Sequence, residues 1–136
     1  MTECDGILPP HARKGILLFN EGKYFEAHEE LEAAWKGEKG RIRELYQGIL
    51  EAGVTYLHIT RGNYAGAVKV YGRSMRWLND WPEICQGVDV GQLRRDLDAA
   101  INEVYQLGEM RLKEFDRSML KPVVWKEVQN GRENNS

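Results

Sequence analysis

Lys23-Tyr24-Phe25-Glu26-Ala27-His28-Glu29-Glu30-Leu31-Glu32-Ala33-Ala34-Trp35-Lys36 is the stretch on which the fold turns. Tyr24, His28, Leu31 and Trp35 recur at +4, +3 and +4, one stripe of a helix with a 3.6-residue period. The spacing predicts a helix from about Lys23 to Lys36, with the polar side chains His28 and Glu32 among its apolar ones.

Working outward, Pro9-Pro10 introduces a first helix, because proline is tolerated in a first turn whose N–H groups are unpaired. Gly22 stops it, since glycine takes the left-handed conformation cheaply. Gly37 and Gly40 bracket a short basic turn after the second helix. A third helix, about Arg41–Arg61, has Leu45, Ile49, Ala52, Tyr56 and Ile59 on one face, and Gly62 ends it. Asn63 caps a fourth, to Leu78, which is expected to bury Tyr64, Ala67, Val68, Tyr71 and Met75. Asn79-Asp80-Trp81-Pro82 terminates it, because a residue before proline avoids the α region. A loop through Cys85-Gln86-Gly87 follows.

Asp89 then caps a long fifth helix, to about Asp116, with Leu93, Leu97, Ile101, Val104 and Leu107 as its stripe. From Lys121 the periodicity is lost: Pro122–Trp125 is expected to dock on the bundle, and Gln129–Ser136 to fray. No alternating strand interrupts this pattern. Tyr24, Ala27, Leu31, Ala34 and Tyr64, Ala67, Tyr71, Ser74 share one spacing, 40 residues apart, the alternation of a tetratricopeptide-like hairpin. Two such units fall short of a solenoid. The expected fold is therefore all-α: two tetratricopeptide-like helical hairpins closed by the fifth helix, in a compact five-helix bundle. The 136 residues suit a single domain, with about 9–117 as its ordered part.

The totals narrow the function classes. A net charge of −2 gives no global electrostatic reason to bind nucleic acid or an anionic membrane. No apolar run reaches the roughly 20 residues of a membrane span. Cys4 and Cys85 form no metal-binding spacing and read as unpaired thiols in a reducing compartment. The N-terminal residues carry no export pattern, so a cytoplasmic location is expected.

The candidate chemistry lies where the second and third helices, joined by a short turn, run antiparallel. Reflection about residue 39 sets His28 near Glu51 and Glu32 near Gln47. Gln47, Glu51, Thr55 and His58 form a polar stripe on one helix, and His28 and Glu32 a pair on the other. Three readings follow. The cluster is a structural network in which His28 is held by a carboxylate, with Tyr24 and Gln47 satisfying the remainder. Alternatively it lines a small-molecule or catalytic pocket, with His28, Glu32 and Glu51 as acid/base candidates and Tyr24, Gln47 and His58 as further ligand contacts. Metal is the least favoured, because the His-Glu-x-x-His pattern is not met and Glu51 and His58 sit about 10.5 Å apart along the helix. No metal or cofactor is expected. Lys69, Arg73 and Arg76 make a basic strip that reads as a solvated face, with RNA contact the weaker alternative. Trp77 and Trp81 read as caps on the core.

The string Phe19-Asn20-Glu21-Gly22-Lys23-Tyr24-Phe25-Glu26-Ala27-His28-Glu29-Glu30-Leu31-Glu32-Ala33-Ala34-Trp35, with Tyr46-Gln47-Gly48-Ile49, His58 and Arg61-Gly62-Asn63-Tyr64-Ala65-Gly66-Ala67, resembles the family called domain of unknown function 309. The resemblance covers about residues 16–78. It implies a small all-α bundle found in bacteria, archaea and plastid-bearing eukaryotes, and no established activity. One departure is Glu51, where the family is expected to favour glutamine; a carboxylate there would favour the imidazolium of a touching His28.

Two functions follow as the main expectations, with an RNA-associated factor using the fourth helix's basic strip the least favoured third. One is a small-ligand-binding or enzymatic bundle with its site between the second and third helices. The other is a helical-hairpin module for protein contact, with a purely structural polar cluster. The partner is then a small molecule or a protein, or a second copy of the chain.

Overall fold

Gly22 and Gly62 stop two helices with one and the same turn. In a computed structural model describing residues 2–128, α1 spans Pro10–Asn20, α2 Tyr24–Lys36, α3 Arg43–Thr60, α4 Tyr64–Leu78 and α5 Val90–Arg111. Gly22 N–H donates to Phe19 O and Lys23 N–H to Leu18 O; Gly62 N–H donates to Ile59 O and Asn63 N–H to His58 O. Both glycines hold positive φ, +78° and +71°, as a Schellman turn requires. The internal repeat thus extends to the backbone: hydrogen bonds recur 40 residues on, from Leu18 to His58 and from Gly22 to Gly62. Burial recurs as well, with Ala27 and Ala67 sealed in equivalent places, as are Ala34 and Ser74.

The helices pack in sequence, α1 on α2, α2 on α3, α3 on α4 and α4 on α5. Lying between two partners, α3 is buried on most of its circumference: Leu45, Tyr46, Ile49, Ala52, Tyr56 and Ile59 are sealed, as are the polar Glu51 and Thr55. Small residues let the hairpins close. A Cβ on Gly15 would sit 2.6 Å from Leu31 Cγ, and one on Gly48 2.6 Å from Leu78 Cδ2. On α4 the buried stripe is Ala67, Val70, Ser74 and Leu78, while Tyr64, Val68, Tyr71 and Met75 are half-buried at its edge. The expected stripe was therefore rotated by part of a turn. Both expected caps form, Asn63 Oδ1 accepting from Gly66 N–H and Asp89 Oδ1 from Gln92 N–H.

Three features depart from the sequence reading. The loop after α4 is a small hairpin, β1 (Ile84–Cys85) antiparallel to β2 (Val88–Asp89). Its two linking residues, Gln86 and Gly87, both have positive φ, the handedness that suits a two-residue hairpin. The segment around Trp125 adds to it, with Asp89 N–H donating to Val124 O and Lys126 N–H to Gly87 O, while Asn20 clamps Val123 from the other side. Secondly, Cys4 and Cys85 are joined in a disulfide rather than standing as two thiols. It ties the first turn of 3-10 helix (Thr2–Asp5) to the hairpin, and no local spacing could signal a bond closed by tertiary packing.

Thirdly, α5 breaks at Gly108, whose φ of +72° and ψ of +177° lie in a region essentially reserved for glycine. The chain then turns through two short 3-10 segments, Leu112–Glu114 and Arg117–Met119, instead of continuing as helix to Asp116. No helix among the described residues is long and apolar enough to cross a membrane. The expected fraying of Gln129–Ser136 lies outside the described residues.

Candidate functional site

The six side chains expected to share a site are distributed over the bundle. Tyr24 is buried in an aromatic triad, its ring 5.3 Å from Phe19 and 5.8 Å from Tyr56. His28 is half-buried on α2 and makes no hydrogen bond or ion pair among the described residues. Glu32 turns along its own helix to Lys36, 3.9 Å away. Gln47 and Glu51 do come together, at 3.1 Å. His58 pairs with Asn63 at the turn into α4.

Glu51 makes its remaining side-chain contacts with α4 rather than with His28. It is 5% exposed, and its Oε1 accepts from Arg73 Nε at 2.6 Å. Oε2 accepts from Trp77 Nε1 at 2.9 Å and from Gln47 Nε2. The physical reason is the position of α3: its Gln47–Glu51 edge lies against α4, one turn from the place where Ser74 Oγ donates to Gly48 O. The charge that distinguishes Glu51 from a glutamine is answered by Arg73. Sequence reasoning assigned Arg73 to a solvated strip and Trp77 to the core; both are half-exposed partners of one carboxylate. Such a clasp specifies how α3 and α4 register, while its net worth is limited by the cost of desolvating the pair.

The tautomer of His58 follows from its partner. Asn63 Oδ1 is taken by Gly66 N–H, so the amide nitrogen faces His58 Nδ1 at 3.1 Å and can only donate. His58 is thereby an acceptor at Nδ1. Burial holds its pKa below the ordinary histidine value, and the guanidinium groups of Arg61 and Arg73 add to the effect.

The concavity in this region lies past the end of α3. A cavity of about 280 Å³ is lined by Ile59, Thr60, Arg61, Gly62, Leu112, Lys113, Phe115 and Arg117. Two glycines build it: Gly62 reverses the chain after α3, and Gly108 folds the segment after α5 back onto that turn. Ile59, Leu112 and Phe115 are buried, giving apolar walls, while Arg61, Lys113 and Arg117 are exposed at the rim. Arg117 Nη2 donates to Thr60 O at 3.0 Å, satisfying one of the carbonyls left open at a helix C-terminus. The Arg117 charge also acts on the Tyr24 hydroxyl, partly offsetting the upward push of burial on its pKa. This site escaped the sequence reading because a continuous fifth helix would have carried Lys113 and Phe115 away from α3. Among the described residues, no three His, Cys, Asp or Glu side chains converge as metal ligands.

Fold and geometry together define a small all-α bundle of paired helical hairpins with a polar clasp and one cationic hollow at the end of α3. The family model described as Domain of unknown function (DUF309) matches residues 12–70. The matched segment runs from α1 into α4 and so includes His28, Glu51, His58 and the Gly62 turn, but neither Arg73 nor the α5 side of the cavity. An uncharacterized protein of Aquifex aeolicus (strain VF5) is 26% identical over 86 residues, 61% of this chain. The chain spans 25% of the length of that curated relative. No solved structure matches.

Proposed function

We propose that this chain is a single helical binding domain for a small molecule, with its site in the cavity between the end of α3 and the segment after Gly108. The observation that carries this reading is the cavity itself, about 280 Å³ with buried apolar walls of Ile59, Leu112 and Phe115. A pocket just below the usual 300–1,000 Å³ range suits a ligand smaller than a drug. Its lining contains no histidine, cysteine or carboxylate, and the Thr60 hydroxyl is committed to Leu57 O, so binding fits this lining better than acid–base catalysis. Of the residues expected to contact a ligand, His58 immediately precedes the lining residue Ile59, and Tyr24 feels the charge of the lining residue Arg117.

A second reading is a tetratricopeptide-like hairpin module for protein contact. It is favoured by an apolar hollow on the small sheet, about 300 Å³, where Ile84 is 53% and Val124 51% exposed. Amide chemical-shift mapping against a library of small fragments separates the two. Shifts concentrated at residues 59–62 and 112–117 support the first reading. Shifts confined to residues 84–89 and 124–126 favour the second, and no response at residues 59–62 and 112–117 from any fragment overturns the first. A cytoplasmic placement, as expected from the sequence, requires that the Cys4–Cys85 bond resist a reducing compartment. Mass analysis after alkylation in the lysate reads that out.

A further inference from the structure

We infer that the ligand of this cavity is a small organic anion, a carboxylate or phosphate head on a short apolar body. The inference rests on the binding reading above and adds the chemical class. Three cationic side chains, Arg61, Lys113 and Arg117, stand around one hollow, and no carboxylate is among its lining residues. None of the three forms an ion pair within 4.0 Å among the described residues.

The two acids nearest in sequence are turned elsewhere. Glu114 receives two hydrogen bonds from Arg111, at 2.9 and 3.2 Å, and acts on Lys113 only through space. Asp116 accepts from Ser118 N–H and Ser118 Oγ, capping the last 3-10 segment.

The structural role available to these cations is to satisfy the carbonyl end of α3, whose dipole disfavours an anion. One guanidinium is spent that way, Arg117 on Thr60 O. Arg61 and Lys113 remain, neither with a carboxylate within 4.0 Å among the described residues, beside the buried Ile59, Leu112 and Phe115. Such an arrangement draws an anionic head by long-range attraction and positions it by guanidinium hydrogen bonds, while Ile59, Leu112 and Phe115 accept a hydrocarbon portion.

The test uses the whole chain and four probes: hexanoate, hexyl phosphate, hexanamide and inorganic phosphate, each titrated while amide shifts at residues 59–62 and 112–117 are followed. Hexanoate or hexyl phosphate is expected to bind at least tenfold more tightly than hexanamide, and whichever of the two binds better names the head. Raising the salt concentration should weaken the anions and leave the amide unchanged. In the doubly substituted Arg61→Gln, Lys113→Gln protein, both exposed positions, the preference for the anion should fall to near unity. Equal binding of hexanamide and hexanoate overturns the anionic class and leaves the cavity reading standing. Inorganic phosphate binding as tightly as hexyl phosphate overturns the apolar half. If no probe shifts these residues, the binding reading fails and this inference fails with it. The first comparison needs no variant, so it holds whatever the substitutions do to folding.

Discussion

Glu51 accepts three side-chain hydrogen bonds in a place that is 5% exposed, and each donor comes with a cost if the carboxylate is removed. Glu51→Ala would leave Trp77 Nε1 and Arg73 without their acceptor. Breaking a buried pair costs 3–5 kcal/mol, and the half-exposed Arg73 places this one at the low end, about 3 kcal/mol. Glu51→Gln keeps an acceptor and should cost about 1–2 kcal/mol. Urea unfolding checks both; an alanine variant within about 0.5 kcal/mol of the parent would mean the clasp contributes nothing.

His58 gives a pH signature. Its folded pKa is held below the ordinary value of about 6.5, so the unfolded chain binds the proton more readily. The stabilisation is fully present above that value and is lost as pH falls through it toward the folded pKa. Arg61 and Arg73 face the ring, so protonation also adds a third like charge. His58→Gln should flatten the decline in stability between pH 7 and 5, read as melting temperature against pH. An unchanged slope would assign the decline to other groups.

Among the elements, some glycines are there for space and others for conformation. Gly48 is a matter of space, because a Cβ would press on Leu78 and Trp77 between α3 and α4. Gly48→Ala should destabilise by about 1–3 kcal/mol, as overpacked cores do. Gly72 lies on α4 with nothing within 4 Å of a Cβ, so Gly72→Ala should instead stabilise by up to about 1 kcal/mol. Gly108 is a matter of conformation: open space surrounds it, yet its φ of +72° should make alanine cost about 1–3 kcal/mol. Paired chemical denaturation of the three variants tests the assignment, and a neutral Gly48→Ala would contradict the close approach.

Most of the elements were legible for physical reasons. Helix starts and stops carry local chemistry, so Asn63, Asp89, Gly22 and Gly62 could be placed from their neighbours alone. The stripe of α5 continues through Leu97, Ile101, Val104 and Leu107 up to the glycine, and periodicity has no term for a break that packing imposes afterwards. Hence periodicity predicts too long a helix and gives no sign of the cavity behind Gly108. The expected juxtaposition of His28 and Glu51 is not formed, because antiparallel reflection predicts which residues are level with one another, but not which face of α3 turns to α2 and which to α4. Glu51 and Gln47 do meet, and the other partners of Glu51 come from α4.

At the scale of the molecule, the disulfide and the cavity lie in different parts of the chain and do different things. Cys4–Cys85 closes a loop with a sequence separation of 81 and holds the N-terminal turn against the hairpin, where Gln86 N–H donates to Cys4 O. On the chain-entropy account, replacing both cysteines by serine should cost about 4 kcal/mol. Thermal unfolding with and without a reductant measures it. Quantitative labelling of two thiols in native, unreduced protein would contradict the bond.

A crystal structure of the protein grown with hexyl phosphate would show whether the hollow beyond α3 takes an organic anion. The phosphate is expected among Arg61, Lys113 and Arg117, with the hexyl chain against Ile59, Leu112 and Phe115. A ligand found instead at Arg73 or over Ile84 and Val124, or an unfilled hollow at saturating ligand, would contradict it.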